Sequence, residues 1–253
     1  MRRDGEATAV AELAVAAAAE GAAALAALLD DVAASGGTRA WLRGADPALL
    51  DAAAAVGWTP DVRLQVLGLV AHRAQGPAAG PAAGEDVRDA APLPNGHHIR
   101  TFTDADADAV ERLLAAAHPD SSDGWGADGF ARRRAADWFR AEDLLLLEEG
   151  DVLRGVHWTK RRGPGLGEVH NLAVHPDVQG RGLGGPLLDA GLAHLAAVGC
   201  GEVLLWVAAA NTAARRLYAS RGFEHRWDDV ALVPDQAPAG SWSPPRWPGG
   251  TSL

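Results

Sequence analysis

The feature that most constrains this chain is the ten-residue stretch His175-Pro176-Asp177-Val178-Gln179-Gly180-Arg181-Gly182-Leu183-Gly184. It lies between a strand-like segment ending at Val174 and a helical pattern beginning near Leu183. Glycines spaced this way let the backbone turn so that successive N–H groups face one concavity, and the following helix adds its N-terminal dipole there. An anion such as a pyrophosphate fits. Such a loop alone is a weak sign, because many are only tight turns. It is not a dinucleotide-binding fingerprint, since no parallel βαβ unit with an acidic residue on a second strand surrounds it.

The surroundings of the loop predict one continuous α+β pattern. Strand-like segments are Ile99–Thr103, Leu144–Glu148, Val152–Thr159, Glu168–Val174, Val203–Ala208 and Arg226–Val233. Helical periodicity covers Asp106–Ala117, Leu183–Val198 and Thr212–Arg221, with Leu183, Leu187, Leu192 and Leu195 along one face of the second. This order predicts a mixed, mostly antiparallel sheet with helices on both faces, an α+β fold over 97–235. Residues 73–96 read as a Pro/Gly/Ala-rich linker and 236–253 as a disordered tail.

Residues 1–72 repeat the second half of that domain. Leu13-Ala14-Val15 aligns with Leu172-Ala173-Val174, Gly21 with Gly180, and Leu28-Leu29-Asp30 with Leu187-Leu188-Asp189, all at one offset. A second offset, six residues longer, aligns Trp41 with Trp206, Asp46 with Asn211, and Gly57-Trp58 with Gly222-Phe223. Two registers over so many positions argue for duplication. The first copy has Glu20-Gly21-Ala22-Ala23-Ala24-Leu25 in place of the glycine loop and Ala53 in place of Tyr218, so it keeps packing and loses chemistry. It begins at what would be its fourth strand. A sheet missing its early strands has an unpaired edge, so this copy is expected to lean on the second domain, or translation starts upstream of Met1.

Composition narrows the function. The formal charge of −10, with no basic run, gives no reason to expect nucleic acid or an anionic membrane as partner. Cys200 is the only cysteine, which excludes an intramolecular disulfide, and the N-terminus lacks the order of a secretory signal. No apolar stretch approaches the ~20 residues that cross a bilayer. A cytoplasmic, monomeric protein acting on small molecules, with no metal, is expected.

The string Leu172 to Gly184, with Gly185 after it, resembles the acetyl-CoA signature of the GNAT superfamily, in which Gln/Arg-x-x-Gly-x-Gly/Ala follows an apolar strand. Asn211-Thr212-Ala213-Ala214-Arg215-Arg216-Leu217-Tyr218, closed by Gly222-Phe223, resembles that superfamily's last helix. The resemblance implies acetyl-CoA as co-substrate, held by Leu172, Ala173, Val174, Gln179, Gly180, Arg181, Gly182, Leu183, Gly184 and Gly185, and by Asn211, Thr212, Ala213, Ala214, Arg215 and Arg216. It makes Tyr218, the only tyrosine, the acid that protonates the departing thiolate; the alternative is a half-buried tyrosine with one hydrogen bond. Asn211 and Tyr218 are seven residues apart, two helical turns, and share a face.

Glu168 opens the strand that ends in Leu172-Ala173-Val174, and a period of two puts it on the same side as His170 and Leu172. A carboxylate there takes a proton from an acceptor ammonium, binds that ammonium as a counter-ion, or sits on an open edge. Across 97–235 the chain is similar to the mycothiol synthase family, whose members carry two tandem GNAT domains. The local matches are His157-Trp158-Thr159-Lys160 and Gly167-Glu168-Val169. That likeness implies acetylation of the cysteinyl amine of cysteinyl-glucosaminyl-inositol, with Lys160, Glu168 and Trp206 on the acceptor. The chain departs from the family at Ala208 and Ala210, where acidic residues are common, and at Ala117-His118-Pro119, where Asp120 is displaced by three. Two other readings stay open: a GNAT enzyme for another small amine or a protein N-terminus, and a non-catalytic acetyl-CoA-binding module.

Overall fold

The structure, a computed structural model, describes residues 10–14, 18–70, 93–119 and 129–235. The linker up to residue 92, Val15, Asp120 and the tail from residue 236 lie outside the described residues. The chain forms two compact units that follow pairing and not sequence order. The first joins residues up to Leu67 with Trp206–Arg216 and the chain from His225; the second joins Gly68–Leu205 with Leu217–Glu224.

In the first unit β1 (Val10–Ala14) pairs in parallel with β2 (Arg39–Arg43), from Val10↔Arg39 to Ala14↔Arg43. β2 pairs antiparallel with β9 (Glu224–Pro234), Ala40 opposite Leu232, and β3 (Trp58–Val70) follows in the order β1-β2-β9-β3. Helices α1 (Ala18–Ala34) and α2 (Pro47–Ala55) close one core with Leu25, Leu29, Leu42, Leu49, Trp58, Val230 and Leu232. Asp46 caps α2 by accepting the Leu49 N–H at 3.0 Å, and Pro47 takes the first turn, where its missing N–H costs nothing.

The second unit holds β4 (His97–Thr101), β5 (Leu144–Glu149), β6 (Val152–Gly163), β7 (Leu166–Val174) and the start of β8 (Glu202–Ala208), in the order β8-β7-β6-β5-β4. All neighbours are antiparallel except β7 and β8. Helix α3 (Ala107–Ala117) packs Val110, Leu113 and Leu114 with Phe102, Phe130, Leu144, Leu146, Val156, Trp158 and Ala173. Helix α5 (Gly184–Ala197) covers Ile99, Leu145 and Leu147 with Leu183, Leu187 and Ala190. Alternate residues of β5 feed the two cores, so helices do lie on both faces. Arg100 donates to both oxygens of Glu148 and both of Asp106, tying β4, β5 and the entry to α3 together.

The GNAT-type α+β sheet is as the sequence predicts, with three differences. β6 and β7 run further than expected because Gly165, at φ 75°, turns the chain tightly between them. A short helix, α4 (Gly129–Arg134), was not expected, being too brief to show a period. Helix α6 (Thr212–Ala219) stops short of Arg221, with Gly222 at φ 82° just beyond.

One expectation is corrected. Along β6 and β7 the register passes from Trp158↔Asn171 to Thr159↔Val169, leaving His170 as a bulge residue. A bulge restarts the alternation of faces. Leu172 and Val174 therefore pack with Leu183 and Leu187 under α5, and Gly167 lies against Leu195 of that helix. Glu168 and His170 turn the other way, where the His170 ring meets Trp138 and Trp158. Glu168 shares a side with His170 and not with Leu172.

Candidate active site

The ladder between β7 and β8 runs over Leu166↔Glu202, Gly167↔Val203 and Glu168↔Leu204, and the strands part beyond it. From Val169 to Val174, β7 is bonded to β6. The side chains of Leu172, Ala173 and Val174 are spent on the two cores. What they offer a ligand is backbone N–H and C=O.

At the end of β7 the chain makes a 3-10 turn, Pro176–Val178, with the Asp177 N–H donated to His175 Nδ1 at 3.3 Å. Val178 and Leu183 are buried and pin the two ends of the loop, while Gln179, Gly180, Arg181 and Gly182 between them are exposed. The Gln179 amide reaches back to the Val174 carbonyl at 3.0 Å. Gly180 and Gly182 sit at φ 78° and 79°, and a Cβ on either would meet nothing within 4 Å. Their requirement is backbone conformation, and the space over them is open. A pyrophosphate fits such a cradle at the start of a 14-residue helix.

Gly185 has a separate requirement. A Cβ there would stand 2.5 Å from Arg221 Nη2, and Arg221 is clasped by both oxygens of Asp189 on α5, each at 3.0 Å. Gly185 is buried and lets the arginine cross the helix.

On the opposite face of β6 and β7, Lys160 stands directly across from Glu168. Glu168 is 4% exposed and accepts from Arg162 and from His170 Nδ1, the latter at 3.0 Å. Burial alone raises its pKa, but the His170 hydrogen bond and the charges of His170, Arg162 and Lys160 outweigh this and hold the carboxyl at about 2. Burial also pushes His170 down, against the pull of Glu168. Lys160 is half-buried, its ammonium 4.2 Å from the centroid of the Trp138 ring, and desolvation lowers its pKa.

The remaining candidates lie on β8 and α6. Trp206 donates its indole N–H to Asp229 at 2.8 Å, and the Gly44 N–H donates to the other oxygen of that carboxylate at 3.1 Å. Asn211 caps α6 by accepting the Ala214 N–H at 3.1 Å. Thr212, Ala213 and Arg216 are exposed, and Arg215 donates to the Ala209 carbonyl. Tyr218 is buried edge-on to Phe223, ring centroids 5.7 Å apart, and burial raises its phenol to about 12. Trp206 and Asn211–Arg216 fall in the first compact unit; Lys160, Glu168, the glycine loop and Tyr218 fall in the second.

Sequence reasoning missed Trp138, Arg162 and the partnership of His170 with Glu168. It also missed that His157-Trp158-Thr159-Lys160 serves two faces. Trp158 and Lys160 line the Glu168 side. His157 is fully buried against Gly191 and bonds the Leu187 carbonyl at 2.9 Å, while Thr159 donates to the Asp143 carbonyl. Asp143 in turn binds His194 at 2.7 Å and Arg161, fastening the far end of α5. Histidines on apolar strand and helix faces were the available signal. Among the described residues no group of three or more His, Cys, Asp or Glu is placed to hold a metal, and no helix is long and apolar enough to cross a membrane.

A strand pair that parts after three residues, followed by a glycine loop into a helix, defines the GNAT class of acetyltransferase fold, whose members use acetyl-CoA. The Acetyltransferase (GNAT) family matches residues 108–223. A mycothiol acetyltransferase of Mycobacteroides abscessus is 37% identical over 233 residues, 89% of this chain and 74% of that protein. One of Geodermatophilus obscurus is 42% identical over 159 residues, 59% of this chain and 51% of that protein. The chain belongs to the mycothiol acetyltransferase family. It spans about half the length of several of the curated relatives it matches. Among solved structures, a GCN5-related N-acetyltransferase from Sphaerobacter thermophilus aligns with TM-score 0.59 at 22% identity, covering 77% of this chain and 58% of that one. A tandem GNAT protein from the clavulanic acid biosynthesis pathway aligns with TM-score 0.57 at 18% identity, covering 87% and 71%. At these identities the structures speak for the fold alone.

Proposed function

We propose that this chain is an acetyl-CoA-dependent N-acetyltransferase that acetylates the cysteinyl amine of cysteinyl-glucosaminyl-inositol to give mycothiol. One observation carries the acyl-transfer reading: among the described residues the β7–β8 ladder ends at Glu168↔Leu204, and β7 runs on past it into the glycine loop. A strand that runs on past its ladder suits an extended, amide-bearing ligand that ends in a pyrophosphate. The acceptor is inferred from the relatives' names.

Acetyl-CoA supplies the thioester carbon that the amine attacks. In this reading the backbone of Leu172–Val174 pairs with the pantetheine arm, and N–H groups near Ala173 and Val174 stabilise the oxyanion. Gln179 to Gly184 receive the phosphates. Lys160 contacts the acceptor. A carboxylate held at about 2 is a poor base, so Glu168 acts as counter-ion to the acceptor ammonium, and the proton leaves through water. An α-amine with an ordinary pKa of ~7.7–8.0 needs no stronger help. Tyr218 donates a hydrogen bond to the departing thiolate. With the phenol at about 12 and a free thiol near ~8.5, full transfer is uphill and the donated bond is the useful part.

The first copy is read as a degenerate repeat that binds no cofactor. Its order β1-α1-β2-α2-β3 parallels β7-α5-β8-α6-β9, each opening with a parallel strand pair, and it lacks the glycine loop. A cytoplasmic monomer is the proposed setting.

The test is CoA-thiol release with cysteinyl-glucosaminyl-inositol, a panel of small amines and peptide N-termini, with products identified by mass. Preference for the cysteinyl conjugate supports the proposal. Turnover with another amine alone moves the acceptor, and binding of acetyl-CoA without any turnover leaves a binding module.

A further inference from the structure

Lys160 is the only lysine in a chain that otherwise uses arginine for its basic residues. Its ammonium lies 4.2 Å from the centroid of the Trp138 ring. That ring is fixed independently of the lysine. It packs tilted against Trp158, centroids 5.5 Å apart, and takes the edge of His170 at 4.9 Å. Trp158 is 1% exposed and belongs to the α3 core, and His170 is bonded to Glu168.

We propose that Trp138 is a positioning residue that seats the Lys160 ammonium for contact with the acceptor; this rests on the reading that Lys160 meets the acceptor. A lysine side chain has four rotatable bonds and drifts unless something holds its tip. Glu168, directly across the strand pair, attracts the ammonium but makes no hydrogen bond to it, its oxygens accepting from Arg162 and His170 instead. The π-face of a tryptophan attracts an ammonium electrostatically without using any of its three N–H donors. All three remain for the oxygens of a ligand, which suits a hydroxyl-rich acceptor. An arginine here would stack its flat guanidinium on the ring and present its donors only at the rim, a geometry for carboxylate or phosphate.

The sole lysine makes the test direct. Biosynthetic labelling of the full chain with carbon-13 lysine gives one ε-methylene resonance. In the wild type it should lie upfield of free lysine because it sits over an aromatic face, in Trp138→Phe the displacement should shrink, and in Trp138→Leu it should vanish. In CoA-release kinetics Trp138→Leu should raise the acceptor KM by about 5- to 30-fold and leave the acetyl-CoA KM nearly unchanged. Made on Lys160→Ala, it should add almost nothing. A wild-type signal at the free-lysine position overturns the seat. So does an equal penalty with and without Lys160, or an equal rise in both KM values. If Trp138→Leu fails to fold, Trp138→Phe carries the test by its intermediate shift and intermediate KM. An upfield signal that depends on Trp138, in a protein that turns over no cysteinyl conjugate, supports the seat and rejects the acceptor proposed above.

Discussion

Tyr218 shows how burial sets a residue's chemistry. Desolvation alone lifts its phenol to about 12, so it keeps its proton throughout the working range and loses it only as pH rises through that value. Removing a positioned acid costs ~10²–10⁴-fold, and a thiolate is already a fair leaving group, so Tyr218→Phe should lower kcat by about 10²-fold with acetyl-CoA KM little changed. Steady-state CoA release against pH checks this, and Tyr218 should contribute no alkaline limb below about pH 10. An alkaline limb in that range that disappears in Tyr218→Phe would contradict the assignment.

At the scale of elements, α5 depends on a glycine ahead of it and on one in its middle, for different reasons. Gly182, just ahead of it, has φ 79° and open space around it. Gly182→Val should therefore abolish acetyl-CoA binding by calorimetry while the fold survives, because a β-branched residue resists the left-handed region and fills the anion cradle. Normal binding would mean that the loop serves something else. Gly191, in mid-helix, has ordinary backbone geometry, yet a Cβ there would run into the His157 ring. Gly191→Ala should cost about 1–3 kcal/mol. Thermal unfolding reads that cost, and most of it should disappear when the same change is made on His157→Ala.

For the whole molecule, acid is the expected weakness. Burial pushes His157 down to about 4 from an ordinary value near 6.5, so the folded chain keeps it neutral where the unfolded chain protonates it. Its contribution is complete above about pH 6.5 and is lost as pH falls towards 4, an effect on the order of 3 kcal/mol. Glu168, held at about 2, contributes above its ordinary 4.5 and is lost only as pH falls further, towards 2. Urea midpoints measured from pH 7 downwards should fall in these two stages, and His157→Gln should remove the first. A midpoint flat between pH 6.5 and 4.5 would show that the histidine is not buried neutral.

The chain's local structure was legible in the sequence. Glycine spacing located the loop, and alternation and a 3.6 period located the strands and the longer helices of the second unit. These are properties of neighbours along the chain, where backbone freedom and side-chain period act directly. What the tertiary structure decided depends on residues far apart in sequence. The bulge at His170 arises from pairing with β6, so no count along β7 reveals that Glu168 and Leu172 part company. The clasp of Glu168 by Arg162 and His170 joins side chains of two strands, and the low pKa it gives the carboxyl depends on that pairing. Trp138 acquires its ammonium only when the segment after α4 reaches β6. The grouping of β9 with β2 crosses the boundary that composition draws at the linker, because strand pairing follows complementary edges and apolar faces and takes no account of chain order.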